Sequence, residues 1–322
     1  MAENLFRDDK KYMECAFNKF FALKSPVIID TRVYPHTHKN CMHNHDFPQL
    51  WYCLSGRYQH YVNGRTYDCE KGSVVMVAPG VVHKLLVPEG ERPEIQSLNV
   101  LYDTFLEAPA DQYIHAIANL FLRPFAKELG YSFEEYKMLS PTSQEILENI
   151  TSWFASLSFN LHDPVDKVDI YKKLEELFSL PEFAIPEGYW GKAVWLAQTR
   201  MRPMIRALVY VNTHYAERIQ EDELVRASGT CRANLYRFFK QYTGCTYAVY
   251  LQWLRTRHVF AYLTFTTYPI SYISDICGFT NHAYMSKIFY KYMGVTPSAF
   301  RAEQKKWLAE QPEKRARIMP RF

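Results

Sequence analysis

Two groups of side chains have types and spacings that could do chemistry. The first is His43-x-His45, with Gln49 shortly after and His83 further along. Imidazoles converging from neighbouring strands ligate Zn²⁺, Fe²⁺ or Cu²⁺, and Gln49 would be a weak fourth ligand. On that reading the chain is a metalloenzyme with a helical accessory domain. Without a metal, the same polar groups line a pocket for a small molecule, joined by Arg32 and Tyr58. His36, His38 and Cys41, just upstream, read as a flexible surface cluster. The second group is basic: Arg232, Arg237 and Lys240, then Lys287, Lys291 and Arg301. A guanidinium forks onto guanine O6 and N7, while lysine ammonium groups and further arginines meet phosphates.

Each group needs a scaffold. Residues 27–103 read as β-structure, with short apolar runs at Leu50–Leu54, Tyr58–Val62, Val74–Val77 and Ile95–Leu101. Ser55-Gly56, Asn63-Gly64, Lys71-Gly72 and Pro79-Gly80 punctuate them. Asn63-Gly64 is a hairpin signal, because both central residues of that turn need positive φ. Closely spaced short strands suggest a sandwich or small barrel. From Asp111 the period becomes helical: Tyr113, Ile114, Ile117, Leu120 and Phe121 share a face. Residues 143–158 and 166–180 form two more amphipathic helices, whose stripes suit either their own barrel or a dimer partner. Pro181, Pro186 and Gly188 mark a linker.

From Pro203 the chain reads as helical and repeats itself at an offset of 50. Leu235, Phe239, Tyr242, Gly244 and Thr246 match Met285, Phe289, Tyr292, Gly294 and Thr296. Each copy reads as a short helix, a glycine turn and a second helix, which is a helix-turn-helix. In the first copy Leu235, Phe238 and Phe239 face inward. Ala233, Tyr236, Arg237 and Lys240 then face outward, with Arg232 near the helix start. In the second, Met285, Ile288 and Phe289 face inward and His282, Ala283, Ser286, Lys287 and Tyr290 outward. A helix about 10–12 Å across enters the major groove. One long helix between the copies, Tyr247 to Leu263, would hold two such helices about one duplex turn apart.

Charge agrees with this division. Met204 to Phe322 carries 17 Lys and Arg against 8 Asp and Glu, a balance of +9, while the remainder carries 21 and 26, a balance of −5. A basic third on an acidic remainder is the footprint of a domain that meets phosphates. The seven cysteines form no C-x-x-C pair, which argues against a zinc finger or disulfide framework and for a reducing compartment. With 48% hydrophobic residues a disordered chain is excluded. Residues 1–11 are charged with no apolar run behind them, and no run approaches the ~18 residues of a membrane span. A cytoplasmic protein that does not enter membranes is expected.

Ala227-Ser228-Gly229, Leu235-x-Arg237-Phe238-Phe239-Lys240, Thr243-Gly244 and Arg255 resemble the first half of an AraC-type DNA-binding domain. Cys277-Gly278-Phe279, Ala283-Tyr284-Met285-Ser286-Lys287-x-Phe289 and Gly294-Val295-Thr296-Pro297-Ser298-x-Phe300-Arg301 resemble the second half. The match covers about residues 204–302. The histidine group, with Gly72 and Ala78-Pro79-Gly80, is similar to the paired motifs of a cupin barrel. The usual metal-binding pattern has Glu where Gln49 stands, so no cofactor is expected.

The resemblance implies an α+β chain: a cupin-like sensor barrel (1–108), a helical dimerisation segment (109–185), a linker (186–203), an all-α domain with two helix-turn-helix units (204–302) and a basic tail (303–322). It implies a transcription regulator that is not an enzyme. Positions 233, 236 and 237 would enter one groove, and 282, 283, 286 and 287 the next. The implied partners are double-stranded DNA, a small effector such as a sugar, a second copy of the chain, and RNA polymerase if the protein activates. A nonspecific, chromatin-like DNA binder is the remaining alternative.

Overall fold

Asn63 and Gly64 both take positive φ, 52° and 83°, and close the hairpin between β3 (Arg57–Val62) and β4 (Arg65–Glu70). The computed structural model describes residues 27–35, 42, 44, 45, 47–101, 104–159 and 167–302. Its other strands are β1 (Val27–Val33), β2 (Gln49–Ser55), β5 (Ser73–Val77), β6 (His83–Leu86), β7 (Glu94–Val100) and β8 (Tyr136–Met138). One antiparallel sheet runs β1-β7-β2-β5-β8 and the other β4-β3-β6.

The sheets share one core. Trp51, Cys53, Val75, Val77 and Ile95 from the first meet Tyr58, Val62, Cys69 and Leu85 from the second. This is the expected β-rich sensor, with one correction: among the described residues no ladder joins the two sheets, so they face each other as an open sandwich rather than a closed barrel. The chain crosses between the sheets four times, at Gly56, at Lys71-Gly72, and over residues 78–82 and 87–93.

β8 comes from a region whose sequence reads as helical. It pairs with β5 in the register Ser73↔Met138, Val74↔Lys137 and Val75↔Tyr136. The first helical run also departs from regularity: α1 (Ile114–Ile117) passes through a π-helical turn (Ala118–Leu122) into α2 (Arg123–Ala126). All five residues of that turn are buried. Next come α3 (Pro141–Phe159) and α4 (Lys167–Phe178).

The apolar stripes of α3 and α4 are spent inside the chain. Leu147, Ile150, Phe154, Ile170, Tyr171, Leu174, Leu177 and Phe178 are all buried. The Glu175 carboxylate accepts from the His115 and Ala116 backbone amides at 3.2 and 2.9 Å, so α4 holds the start of α1.

The segment expected as a linker, 186–203, is mostly helical. α5 (Trp190–Leu196) continues through a second π turn (Ala197–Met201) into α6 (Arg202–Thr213). Ala193, Leu196, Ala197 and Met201 are buried. That helical burial outweighs the breakers Pro181, Pro186 and Gly188, which act only ahead of α5.

Four helices and a connector complete the order: α7 (Glu221–Ser228), α8 (Arg232–Thr243), α9 (Tyr247–Phe265), α10 (Ile270–Ile276) and α11 (His282–Met293). The described residues form two units. A sensor unit holds residues 27–209 and Val225–Cys245, and a reader unit holds Tyr210–Leu224 and residues 246–302. Within the reader unit Val259, Phe260, Ile273, Met285, Phe289 and Phe300 form one core, with Trp253 packed on its flank. Arg255 ties α9 to the preceding loop by donating to the Tyr215 and Glu217 carbonyls at 2.7 and 2.8 Å.

Candidate functional site

The fifty-residue repeat is reproduced at the level of helix ends. α8 and α11 each span twelve residues and start fifty positions apart. Gly244 and Gly294 close them in left-handed conformation, φ 76° and 68°. Two residues further on, Thr246 and Thr296 each cap a new helical segment by accepting from the Val249 and Ala299 amides at 3.4 and 3.2 Å. Gly229 and Gly278 supply the turns before the two helices, with φ 68° and 75°. A side chain at Gly278 would run into the Ala216 carbonyl.

The two N-termini differ. Asn281 accepts from the Tyr284 amide at 2.8 Å, whereas Cys231 caps α8 without a side-chain bond. Asn281→Ala is expected to destabilise the reader unit by about 1 kcal/mol, and Cys231→Asn to stabilise α8 by a few tenths to about 1 kcal/mol. Urea unfolding of the two variants checks this. Midpoints that stay at the wild-type value in both would show that the caps carry no energy.

The outward faces are open. Arg232, Ala233, Tyr236, Arg237 and Lys240 on α8 are exposed, as are His282, Ala283, Lys287, Tyr290 and Lys291 on α11. Ser286 is half-buried. Leu235, Phe238, Phe239, Met285, Ile288 and Phe289 are buried, so the expected inward sets face inward. Arg237 lies over the Phe238 ring at 5.0 Å and donates to Asn234 Oδ1 at 3.1 Å, leaving its fork at the surface.

Arg301 has a different role from the expected phosphate contact. It donates to the Tyr268 carbonyl at 2.6 Å, and burial lowers its pKa, so it fastens the end of the domain to the start of α10. Gln252, which sequence reasoning did not single out, donates to the Tyr284 hydroxyl at 2.8 Å and ties α9 to the first turn of α11.

Between the sheets, His45, Gln49, Tyr58 and His83 are all buried. The His45 and His83 rings meet edge-on with centroids 5.0 Å apart. His45 Nδ1 donates to the Phe47 carbonyl at 2.5 Å, and its Nε2 lies 3.2 Å from Gln49 Oε1. The Gln49 amide donates onward to Asn99 Oδ1 at 2.6 Å. Burial pulls the His45 pKa down to about 4, so this imidazole is neutral.

His60 joins the group, 5.5 Å from His83 and 4.8 Å from Trp51 between ring centroids. Its signal was present in the sequence: Tyr58, His60 and Val62 alternate inward on β3, back from the Asn63-Gly64 turn. Arg32, on β1, pairs with the Asp30 carboxylate. His36, His38, Cys41 and His43 lie outside the described residues.

Of the expected metal ligands, His45, Gln49 and His83 lie among the described residues and His43 does not. Among the described residues no group of three or more His, Cys, Asp and Glu side chains is arranged to hold a metal ion. Gln49 donates its amide to Asn99 Oδ1, and it is a poor ligand where a carboxylate is wanted. No helix among the described residues is long and apolar enough to cross a membrane.

Known protein families match two stretches of the chain. A family model described as an AraC-like ligand binding domain matches residues 28–159, and one described as a helix-turn-helix domain matches residues 224–303. The HTH-type transcriptional activator RhaR of Mannheimia succiniciproducens is 22% identical over 283 residues, which is 88% of this chain and 94% of that protein. The probable transcription factor PqrA of Proteus vulgaris is 32% identical over 85 residues, 26% of this chain and 70% of that protein. The structure of ToxT from Vibrio cholerae superposes with a TM-score of 0.51 at 12% identity, covering 86% of this chain and 98% of that one.

Proposed function

Because this chain belongs to the AraC family, DNA-binding transcription regulators that answer to a small-molecule effector, we propose that its α8 and α11 each read base edges in a major groove. Ala233, Tyr236 and Arg237 take one groove and His282, Ala283, Ser286 and Lys287 the next. Arg232, Lys240 and Lys291 hold phosphates. The observation that carries this is the repeat: two twelve-residue helices with matching inward cores and matching basic positions, Arg237 and Lys287, both exposed.

Arg237→Ala and Lys287→Ala should each weaken binding to a specific duplex by about 1–3 kcal/mol and leave binding to random duplex nearly unchanged. Fluorescence anisotropy at one fixed salt concentration measures both. Equal losses on the two duplexes would reassign these residues to phosphate contact.

The effector site is the buried group His45, Gln49, Tyr58 and His83, together with Arg32, and to it we add His60 and Trp51, whose rings pack against one another beside His83. Neutral imidazole and a tryptophan face suit an uncharged, hydroxyl-rich molecule such as a sugar, which hydrogen-bonds the rings and stacks on the indole. The chain works in the cytoplasm, catalyses no reaction, and pairs as a homodimer. As an activator it would also touch RNA polymerase.

A further inference from the structure

Tyr284 is an exposed aromatic side chain that the reader unit nevertheless holds in place. It stands in the first turn of α11 with 38% of its surface open. Its backbone amide donates to the Asn281 cap at 2.8 Å. Its ring meets Phe279 edge-on, with centroids 6.2 Å apart. Its hydroxyl accepts from the Gln252 side-chain amide at 2.8 Å. Cap, turn and connector helix thus fix one residue that faces solvent.

The direction of the last bond matters. A phenol has one hydrogen to give and two lone pairs that receive. The Gln252 amide nitrogen only donates, so it fills a lone pair and leaves the hydroxyl hydrogen unspent. Among the described residues that hydrogen meets no acceptor. A side chain already held in this way loses little freedom when it binds something.

Its place on the helix names the acceptor. Ala283, Ser286, Lys287 and Tyr290 centre the outward face of α11, and Met285, Ile288 and Phe289 the inward one. At about 100° per residue, Tyr284 falls on the flank between them. Lys291, two turns further on and exposed, falls on the same flank. A helix in a major groove turns its outward face to base edges and its flanks to the phosphate walls. Fifty positions earlier α8 carries Asn234, whose side-chain oxygen accepts from Arg237 at 3.1 Å, so this arrangement belongs to the second helix alone.

We propose that Tyr284 donates its hydroxyl to a DNA phosphate on the flank it shares with Lys291, and that Gln252 is a positioning residue that aims it. The contact adds grip and register to α11 without any base preference of its own. The proposal rests on the DNA-reading function assigned above.

The test uses the full chain, a duplex enriched from a random pool by the wild-type protein, and a random duplex, at a temperature where every variant is folded. Tyr284→Phe removes the hydroxyl alone and is expected to weaken binding to both duplexes by the same factor, about tenfold. A neutral hydroxyl displaces no counterion, so the slope of log affinity against log salt stays at the wild-type value, whereas Lys291→Ala reduces it by about 0.9. Gln252→Met keeps the length and removes the donor. It is expected to cost about threefold on its own and nothing further in the Tyr284→Phe background. Wild-type affinity in Tyr284→Phe overturns the contact. A loss confined to the enriched duplex also overturns it, because the hydroxyl would then read a base. Equal losses from Gln252→Met with and without the hydroxyl, or a lower melting point with unchanged affinity, overturn the positioning role. A wild-type chain that enriches no sequence removes the DNA-reading function and this contact with it. A neutral Tyr284→Phe beside a Lys287→Ala that behaves as expected removes this contact alone.

Discussion

Phe289→Ala is expected to destabilise the reader unit by about 3–5 kcal/mol and to abolish its hold on DNA. Phe289 is fully buried at the centre of the core that joins α9, α10 and α11. Its ring meets Phe300 edge-on at 5.8 Å, and Phe300 in turn packs on Phe260 at 4.8 Å. Truncation removes the apolar transfer energy of the ring and leaves a cavity that three helices cannot all close upon. Phe289→Leu keeps most of the volume and should recover more than half of the loss. Urea unfolding, read through hydrogen exchange of amides in 259–293, gives the number for this unit separately. A loss under about 1 kcal/mol would mean that the three helices hold together without this ring.

The second large effect comes with acid. Burial holds His45 at about 4 and His258 at about 3, whereas an unfolded histidine titrates near 6.5. His258 lies flat on Tyr215 with ring centroids 3.6 Å apart, and the Arg257 charge adds to its reluctance to protonate. Above pH 6.5 neither the folded nor the unfolded state carries the proton, and stability is complete. Below 6.5 the unfolded chain binds a proton that the folded chain refuses, so stability falls until the folded values are reached. At pH 5 the loss is about 2 kcal/mol for each histidine, about 4 kcal/mol for the two together, at roughly 1.4 kcal/mol per pH unit. The two residues lie in different units, so His258→Phe should flatten the pH dependence of the reader unit and leave that of the sensor unit. Unfolding curves between pH 7.5 and 5 measure this. An unchanged slope in His258→Phe would show that this histidine protonates freely in the folded chain.

The reader helices were legible because their signals are local. Leu235, Phe238 and Phe239, and their fifty-residue counterparts, stand at helical spacing, and glycines mark the turns before and the ends after. The β-hairpin at Asn63-Gly64 was legible for the same reason. Three features were not. The π turns at Ala118–Leu122 and Ala197–Met201 depend on packing, since neither Asn119 nor Arg200 distinguishes a π turn from an α turn by type. β8 is three residues long and becomes a strand only because β5 offers a free edge. The packing of α8 against α2 was hidden most completely. Phe238 and Tyr242 read as inward residues whether the surface they meet is their own domain or the sensor. His60 likewise stands outside the His-x-His spacing, and only the alternation along β3 carries its signal.

β8 carries a practical consequence for dissecting the molecule. A sensor fragment ended at residue 108 would strip the outer strand from a five-stranded sheet and bare the hydrogen-bonding groups of Val74 and Val75. Unpaired edges recruit strands from other molecules, and such a fragment would precipitate or form mixed aggregates instead of reporting on the pocket. A soluble fragment has to reach beyond Met138, which carries part of the helical region along with it. Truncation data from a shorter piece would therefore measure self-association, and a failure to bind sugar in that setting would say nothing about the histidines.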